Sequence, residues 1–256
     1  MRIYAIGDIH GQADMLRAAH ERIATDRAAC GDPTAEVIHL GDFCDRGPNT
    51  AGVIQILVDG VAAGEPWRML LGNHDRLFRG FVRNASVRDN VLHRDFTWMS
   101  CALGGETTLR SYGLFDINGH SAKRIQARLL ELIPGSHITF LEKLESMVEY
   151  DELAFVHAGI LPGVSLSRQL EDDLVWIRDE FLLDTGDHGK LIVHGHSAIH
   201  SPTHYGNRVN LDTGAGYFRR LTVAVFEDRD CWALTDLGRE KLEPSPHMVG
   251  KVRNPI

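Results

Sequence analysis

Five apolar segments of this sequence end abruptly in residues that can bind a metal ion or transfer a proton. In chain order they are "IYAIGDIHG", "VIHLGDFCDRG", "RMLLGNHD", "LAFVHAG" and "LIVHGHS". The polar side chains at their ends include Asp8, His10, Asp42, Asn73, His157 and His196. In an open α/β sheet the strand ends lie side by side, and ligands bind in the crevice that they form. We therefore expect these residues, which are far apart in sequence, to converge in one site.

The donor types indicate two metal ions rather than one. Every candidate side chain offers oxygen or nitrogen, and the set exceeds the four ligands of a structural zinc site. Such donors suit borderline-hard ions such as Mn, Fe or Zn. Two ions about 3.5–4 Å apart need a shared carboxylate, and Asp42 can supply it. Asp8 and His10 can bind one ion from a single turn, and the other three residues can surround the second.

The first part of the chain alternates between strand and helix patterns. Strands are predicted over "RIYAIGD", "AEVIHLGD" and "PWRMLLGN", with helices over "QADMLRAAHERIATDRAA" and "NTAGVIQILVDGVAAG". Asn49 or Thr50 is the predicted N-cap of the second helix, just after Pro48. This alternation favours βαβ units and a largely parallel sheet, and hence an α/β fold.

The rest of the chain is predicted to hold a helical insertion and a second group of strands. The pattern over about residues 78 to 134 predicts the helical insertion. We interpret this insertion as a cap over one end of the sheet. "SMVEYDELAFVHAGI" predicts a hairpin, and "SRQLEDDLVWIRDEFL" one helix. The closely spaced "KLIVHGHS", "NRVNLDT", "YFRRLTVAVFE" and "CWALTD" predict a mostly antiparallel second set. We expect a single domain over residues 1–240 and a loosely ordered, Pro-rich tail over 241–256.

Composition argues against several classes of partner. The 256 residues are 43% hydrophobic and carry a formal net charge of −8, which disfavours nucleic acid and anionic membranes as partners. No apolar run approaches the roughly 20 residues of a membrane span. The N-terminal apolar run is too short for a signal-peptide core. The four cysteines lack metal-knuckle spacing and read as reduced thiols, so a cytoplasmic location is expected.

The motifs "GDIHG", "GDFCDRGP", "GNHD", "VHAG" and "GHS", in this order, resemble those of the calcineurin-like metallophosphoesterases. Within that group they are similar to the phosphoprotein phosphatase family, especially its small bacterial members. The resemblance covers about residues 2–226. It implies a four-layer α/β/β/α sandwich with the metal ions between the two sheets.

The resemblance also implies a role for each motif residue. The metal-ligand candidates match the family's ligands, in the same division between two ions. His74 matches the general acid, and Asp45 matches the carboxylate that orients it. Arg46 matches a phosphate-binding arginine, and Arg178 in "VWIRDEF" resembles the second one. Substrate contacts are therefore expected from Arg46, Arg178, Asn73 and His74.

Two features depart from the family pattern, and other residues receive structural interpretations. Asp75 stands where protein phosphatases of higher organisms usually have Glu, and the helical insertion lacks a recognisable substrate groove. "VNLDTGA" resembles the segment that closes the fold in bacterial relatives and is assigned no chemistry. His39 and Trp98 are interpreted as core residues.

The leading functional hypothesis is a phosphomonoester hydrolase, specifically a serine/threonine protein phosphatase. Its nucleophile would be a hydroxide that bridges two metal ions. This hydrolase is expected to bind Mn²⁺, with Fe or Zn as alternatives. Its substrate would be a phosphorylated protein or a small phosphate ester. The alternative is a dinucleoside tetraphosphate hydrolase. Those enzymes typically carry "ARGP" where this chain has "DRGP", so Asp45 favours a monoester. A non-catalytic metal-binding regulator is disfavoured because every ligand and the acid are present. The oligomeric state is left open.

Overall fold

The computed structural model describes residues 1–245 and places their strands in two sheets. The strands are β1 (Arg2–Ile6), β2 (Glu36–His39), β3 (Trp67–Met69), β4 (Met147–Glu149), β5 (Leu153–Val156), β6 (Leu191–His194), β7 (Thr203–His204), β8 (Arg208–Asn210), β9 (Val223–Glu227), β10 (Asp230–Thr235) and β11 (Gly238–Lys241). The helices are α1 (Ala13–Cys30), α2 (Thr50–Ala62), α3 (Asn73–Arg83), α4 (Gly105–Ser111), α5 (Ala122–Leu132), α6 (Gly135–Glu142), α7 (Glu171–Trp176) and α8 (Asp179–Leu182).

The first sheet has the strand order β11-β10-β9-β1-β2-β3. Its β1, β2 and β3 pair in parallel, as their alternation with α1 and α2 predicts. The predicted N-cap of α2 is confirmed, because the Asn49 side chain accepts a hydrogen bond from Gly52 N at 2.9 Å. On the other side of β1, strand β9 pairs antiparallel, with Val223 opposite Ile6.

The second sheet has the order β4-β5-β6-β8-β7, and it corrects the prediction of a mostly antiparallel second set. The central β5, β6 and β8 are parallel, and only the edge strands β4 and β7 run antiparallel to their neighbours. The chain between β6 and β8 is long enough for a parallel crossover without a helix. Strands β9 and β10, assigned to this set from the sequence, instead extend the first sheet.

The two sheets pack face to face, with helices on their outer faces. Side chains alternate along β1, so Ile3 and Ala5 enter the core between the sheets while Tyr4 and Ile6 face the helices. Across the inner core, the rings of Phe155 in one sheet and Phe226 in the other meet edge to face at 5.7 Å. This arrangement confirms the predicted four-layer α/β/β/α class.

Helices α3 to α6 occupy the stretch between β3 and β4, where the sequence predicts an insertion. The predicted limits of that insertion and of the domain stay predictions. Residues 241–245 of the predicted tail are described, and Ser245 N donates to His204 O at 2.8 Å. Residues 246–256 lie outside the described part of the chain.

The single helix predicted over "SRQLEDDLVWIRDEFL" is wrong. Instead of one helix, the segment forms a 3₁₀ turn, Leu166–Arg168, followed by α7. The helical conformation is interrupted again between α7 and α8. The Gln169 side chain bonds the backbone of Leu161 and Val164, which fixes a turn ahead of α7. At the second break Arg178 has φ −132° and ψ −99°, outside the helical region. The break allows the Arg178 side chain to reach Ser197 in the second sheet's loops.

None of the helices within residues 1–245 combines the length and the apolar character needed to cross a bilayer. His39 is a satisfied core residue, as predicted. Its Nδ1 lies 3.2 Å from Arg68 O, and its Nε2 lies 2.9 Å from Nε2 of His20, whose ring stacks on Trp67.

Acidification should destabilise this fold through His20. Burial, together with the charge of Arg27, lowers the pKa of His20 to about 4. Below pH 6.5 the unfolded chain therefore binds a proton that the folded chain does not, and the free energy of unfolding falls as the pH falls toward 4. We expect His20→Gln to remove about 2 kcal/mol of the stability difference between pH 7 and pH 5 in urea denaturation of EDTA-treated protein. His93→Gln, at an exposed side chain, is the matched control, and equal pH dependence in both variants would contradict the assignment.

Candidate active site

The structure brings the predicted ligands together at the carboxyl ends of β1, β2, β3, β5 and β6. Each of the six is buried, from 0% exposure at His157 to 8% at His196. They come from both sheets, so the site lies where the sheets meet at one end of the sandwich.

Several site residues adopt the left-handed backbone conformation that non-glycine residues usually avoid. Among residues 1–245, seven non-glycine residues have positive φ, and five of them belong to the predicted site: His10, Asp42, Asp45, Arg46 and His196. Such strain persists only where the surrounding structure imposes it, and it clusters at functional sites. The chain therefore turns sharply after β1, β2 and β6, which allows the polar side chains there to enter the crevice.

Two glycines of the motifs have a steric role at this crevice. A Cβ atom at Gly72 would overlap the carboxylate of Asp42, and a Cβ atom at Gly195 would overlap that of Asp8. Glycine at these positions lets the backbone of one strand end approach the carboxylate of another.

The side chains form two candidate metal-binding groups that share Asp42. One consists of His10, Asp42 and His74, and the other of Asp42, His157 and His196. Within each group the donor atoms lie within 4.8 Å of one another. A carboxylate common to both groups is the arrangement that a pair of metal ions requires.

The hydrogen bonds of two histidines leave lone pairs facing this centre. Nδ1 of His10 lies 2.8 Å from Cys44 O, and Nδ1 of His157 lies 2.8 Å from Leu40 O. A carbonyl accepts only, so each Nδ1 carries the proton and each Nε2 presents a lone pair. This tautomer is the one that coordinates a metal through Nε2.

The second group contains several acceptors and too few donors. Nε2 of His157 lies 3.0 Å from Asn73 Oδ1 and 3.5 Å from an oxygen of Asp42. Nδ1 of His196 lies 2.9 Å from the same Asn73 oxygen, and its Nε2 is buried with no hydrogen-bond partner among residues 1–245. Converging lone pairs repel one another unless a cation lies between them, so the residues present fit a metal ion.

The protonation states also favour metal binding. Burial would raise the pKa of Asp42, but the nearby histidines, His157 foremost, lower it below its ordinary value. Burial lowers the pKa of His10, His157 and His196. Ionised carboxylate and neutral imidazole are the forms that metal ions bind.

Asp8 lies beside the two groups rather than within either. Its carboxylate accepts hydrogen bonds from His196 N at 3.0 and 3.2 Å. Burial and the charges of Asp212 and Asp42 hold the pKa of Asp8 well above its ordinary value. A bound cation would relieve this repulsion, which is consistent with the predicted role of Asp8 as a ligand.

Asp212 is a site residue that sequence reasoning missed. It lies in "VNLDTGA" just after β8, is 5% exposed, and accepts a hydrogen bond from Gly214 N at 2.8 Å. Burial, with the charge of Asp42, raises the pKa of Asp212 to about 6. Asp212 had no clear signal in the sequence, because β8 holds Arg208 and Asn210 and is not an apolar run like the other five segments.

His74 is held by a buried carboxylate that the helical insertion supports. Nδ1 of His74 lies 2.8 Å from Asp45 Oδ2. Trp98 Nε1 donates to both oxygens of Asp45, at 3.1 and 3.0 Å, and Thr108 Oγ1 donates to Oδ1 at 2.8 Å. Trp98 is buried, as predicted, but its indole N–H also connects the insertion to the predicted acid. The insertion therefore fixes the orientation of the His74–Asp45 pair.

The two predicted phosphate-binding arginines face the same region. Nη1 of Arg46 lies 2.9 Å from Nε2 of His10. Arg46 therefore donates to the same lone pair that would coordinate a metal ion. Nη1 of Arg178 donates to Ser197 Oγ at 3.4 Å. Burial and the charge of Arg46 lower the pKa of Arg178. Ser197 follows the proposed ligand His196, so each arginine lies beside a proposed metal ligand or its neighbour in the chain.

Asp75, the departure from the usual Glu, joins two site segments. Its Oδ1 accepts from Phe43 N at 2.9 Å and from Cys44 N at 3.3 Å, and its Oδ2 accepts from Gly72 N at 3.1 Å. Asp75 therefore ties the turn after β2 to the start of α3, which carries Asn73.

Comparison with known proteins identifies the family. The family model for calcineurin-like phosphoesterases matches residues 1–226. The chain belongs to this family. Calcineurin-like phosphoesterases bind paired metal ions, and the two groups that share Asp42 are the candidate positions in this member.

Curated relatives match along most of the chain. A bis(5'-nucleosyl)-tetraphosphatase PrpE [asymmetrical] of Bacillus thuringiensis is 25% identical, over 90% of this chain and 92% of its own. The PrpE of Geobacillus thermodenitrificans is 27% identical, over 89% and 91% of the two chains.

Solved structures share the fold at low identity. A cold-active protein tyrosine phosphatase aligns with a TM-score of 0.62 and 15% identity, over 95% of this chain and 79% of its own. A metallophosphoesterase from Sphaerobacter thermophilus aligns with a TM-score of 0.51 and 16% identity, over 96% and 89%.

Substitutions at the shared carboxylate and at one histidine should have different effects on metal content. After loading with Mn²⁺ and desalting, we expect about two ions per wild-type chain, about one for His157→Gln and fewer than one for Asp42→Asn, since Asp42 serves both groups. Elemental analysis measures this ratio. His93→Gln is the control, and a wild-type content of one ion or less would contradict a paired site.

The Trp98 indole should influence activity through His74. We expect Trp98→Phe to lower kcat about tenfold for an alkyl phosphate and far less for a nitrophenyl phosphate, because only the alkoxide leaving group needs a proton. Trp232→Phe, at a partly buried indole on β10, is the control. Equal losses on both substrates would show that Trp98 acts by general stability alone.

Proposed function

We propose that this phosphoesterase is a metal-dependent hydrolase that transfers phosphoryl or nucleotidyl groups from dinucleoside polyphosphates to water. The carboxylate of Asp42, shared by two groups of metal donors beside the His74–Asp45 pair, is the observation that carries the hydrolytic chemistry. When bound, paired divalent ions supply positive charge and a water of lowered pKa.

The residues of the chain have distinct tasks in this proposal. Arg46 and Arg178 bind the phosphate oxygens, and their planar guanidinium groups can each hold two of them. His74 protonates the leaving oxygen through Nε2 while Asp45 accepts from Nδ1 and so holds the ring. Asn73 contacts His157 and His196 through its oxygen and, with Asp8, completes the proposed ligand set.

The curated relatives support dinucleoside polyphosphates as the substrate class. Proteins named bis(5'-nucleosyl)-tetraphosphatases align over about nine-tenths of both chains. This support reverses the order in which the sequence motifs rank the two substrates. Phosphomonoesters, including phosphoserine in proteins, are the second candidate, because the buried His74–Asp45 pair suits an alkoxide leaving group.

A hydrolysis panel tests the substrate class. The Mn²⁺-loaded enzyme is assayed with diadenosine tetraphosphate, a phosphoserine peptide, 4-nitrophenyl phosphate and bis(4-nitrophenyl) phosphate. We expect the highest kcat/KM for diadenosine tetraphosphate. A higher value for the phosphopeptide would replace the proposal with the second candidate, and a preference for the diester would contradict both.

Removal of His74 should discriminate between leaving groups. We expect His74→Asn to lower kcat on an alkyl phosphate by about 10²–10⁴-fold and on 4-nitrophenyl phosphate much less. Metal content is measured in parallel, because His74 also lies in one donor group. Equal losses with unchanged metal content would remove His74 from the acid role.

A further inference from the structure

Two exposed aromatic side chains stand at the edge of the candidate active site. Tyr217 is 52% exposed and Phe218 is 69% exposed. The Tyr217 ring centre lies 5.0 Å from the guanidinium carbon of Arg46, in cation–π contact. Tyr217 is therefore next to one of the two proposed phosphate-binding arginines, and Phe218 follows it in the chain.

The turn that carries these rings is held firmly against the site. Tyr217 N donates to Gly214 O at 2.9 Å, and Phe218 N donates to Ala215 O at 2.9 Å. Gln12 Nε2 donates to the same Ala215 oxygen at 3.1 Å. A Cβ atom at Gly216 would overlap the His10 ring, so the turn packs directly on a proposed metal ligand.

Phe218 combines exposure with backbone strain. Its φ of +61° lies in the left-handed region, which is a genuine outlier for a bulky residue. Burial does not explain the strain, since the side chain faces solvent. Strained residues persist where the structure over-determines them, and they cluster at ligand sites.

We propose that Tyr217 and Phe218 bind a nucleobase of the substrate by stacking, and so determine specificity for nucleotides. This inference rests on the proposed dinucleoside polyphosphatase function. With a nucleotide phosphate held by Arg46, the ribose places the base beside the phosphate, within reach of the aromatic pair. Arg46 lies over one face of the Tyr217 ring, and the half-exposed ring leaves area for the base.

The neighbouring charges favour a polyphosphate substrate over an apolar protein partner. Arg219 and Arg220 follow the aromatic pair directly, and Nη1 of Arg219 lies 3.4 Å from Nδ1 of His200. Positive charge next to stacking surface is the combination that binds nucleotides.

The proposal is tested with Tyr217→Ala and Phe218→Ala on two substrates that share the anhydride bond. For each enzyme, kcat/KM is measured with diadenosine tetraphosphate and with inorganic tripolyphosphate, which has no base. We expect the ratio of the two values to fall about tenfold in Tyr217→Ala, the size of one stacking contact, and less in Phe218→Ala. Tyr217→Trp should keep the ratio, because indole also stacks. Phe115→Ala, at a side chain exposed to a similar 65%, should leave it unchanged.

A second measurement separates this proposal from the substrate class. The inhibition constants of AMP and ribose 5-phosphate are measured against 4-nitrophenyl phosphate hydrolysis. We expect AMP to bind about tenfold tighter in the wild type and the difference to vanish in Tyr217→Ala. If diadenosine tetraphosphate is not hydrolysed but this pattern holds, only the proposed function fails. If both inhibitors bind equally to the wild type, or if Tyr217→Ala changes neither ratio, base stacking is overturned.

Discussion

The structure depends on one electrostatic constraint, which is the burial of many lone pairs around Asp42. Carboxylate, amide and imidazole acceptors converge within hydrogen-bond distance of one another, and Nε2 of His196 has no partner among the described residues. Burying such groups without compensation is costly. A pair of cations bound among these groups would offset that cost.

The fold meets this constraint through the turns at its strand ends. Left-handed backbone at Asp42 and His196 redirects the chain just where each strand leaves its sheet. Glycines stand where the backbone comes closest to the carboxylates of Asp42 and Asp8, because a Cβ atom there would overlap those carboxylates. Because ligands come from both sheets, packing of the inner core between the sheets sets the distances within the site.

Two different parts of the chain border the candidate site and contact its residues. The helical insertion reaches the reacting centre through Trp98 and Thr108, which hold Asp45 and hence His74. The turn after Asp212 borders the same centre and exposes Tyr217 and Phe218 to solvent. The family's paired-metal chemistry is assigned to the donors around Asp42, whereas we propose that these surrounding segments influence the choice of substrate.

The sequence by itself determined the strand–helix alternation, the Asn49 cap and the identity of the converging donors. These are local signals, since periodicity, capping and strand-end motifs lie within a few residues. Tertiary structure decided what depends on distant partners. It placed β9 beside β1, broke the helix at Arg178, and brought Trp98 and Asp212 to the site. No local pattern encodes these contacts, because their free energy arises only when segments far apart in the chain pack together and share the burial of charge.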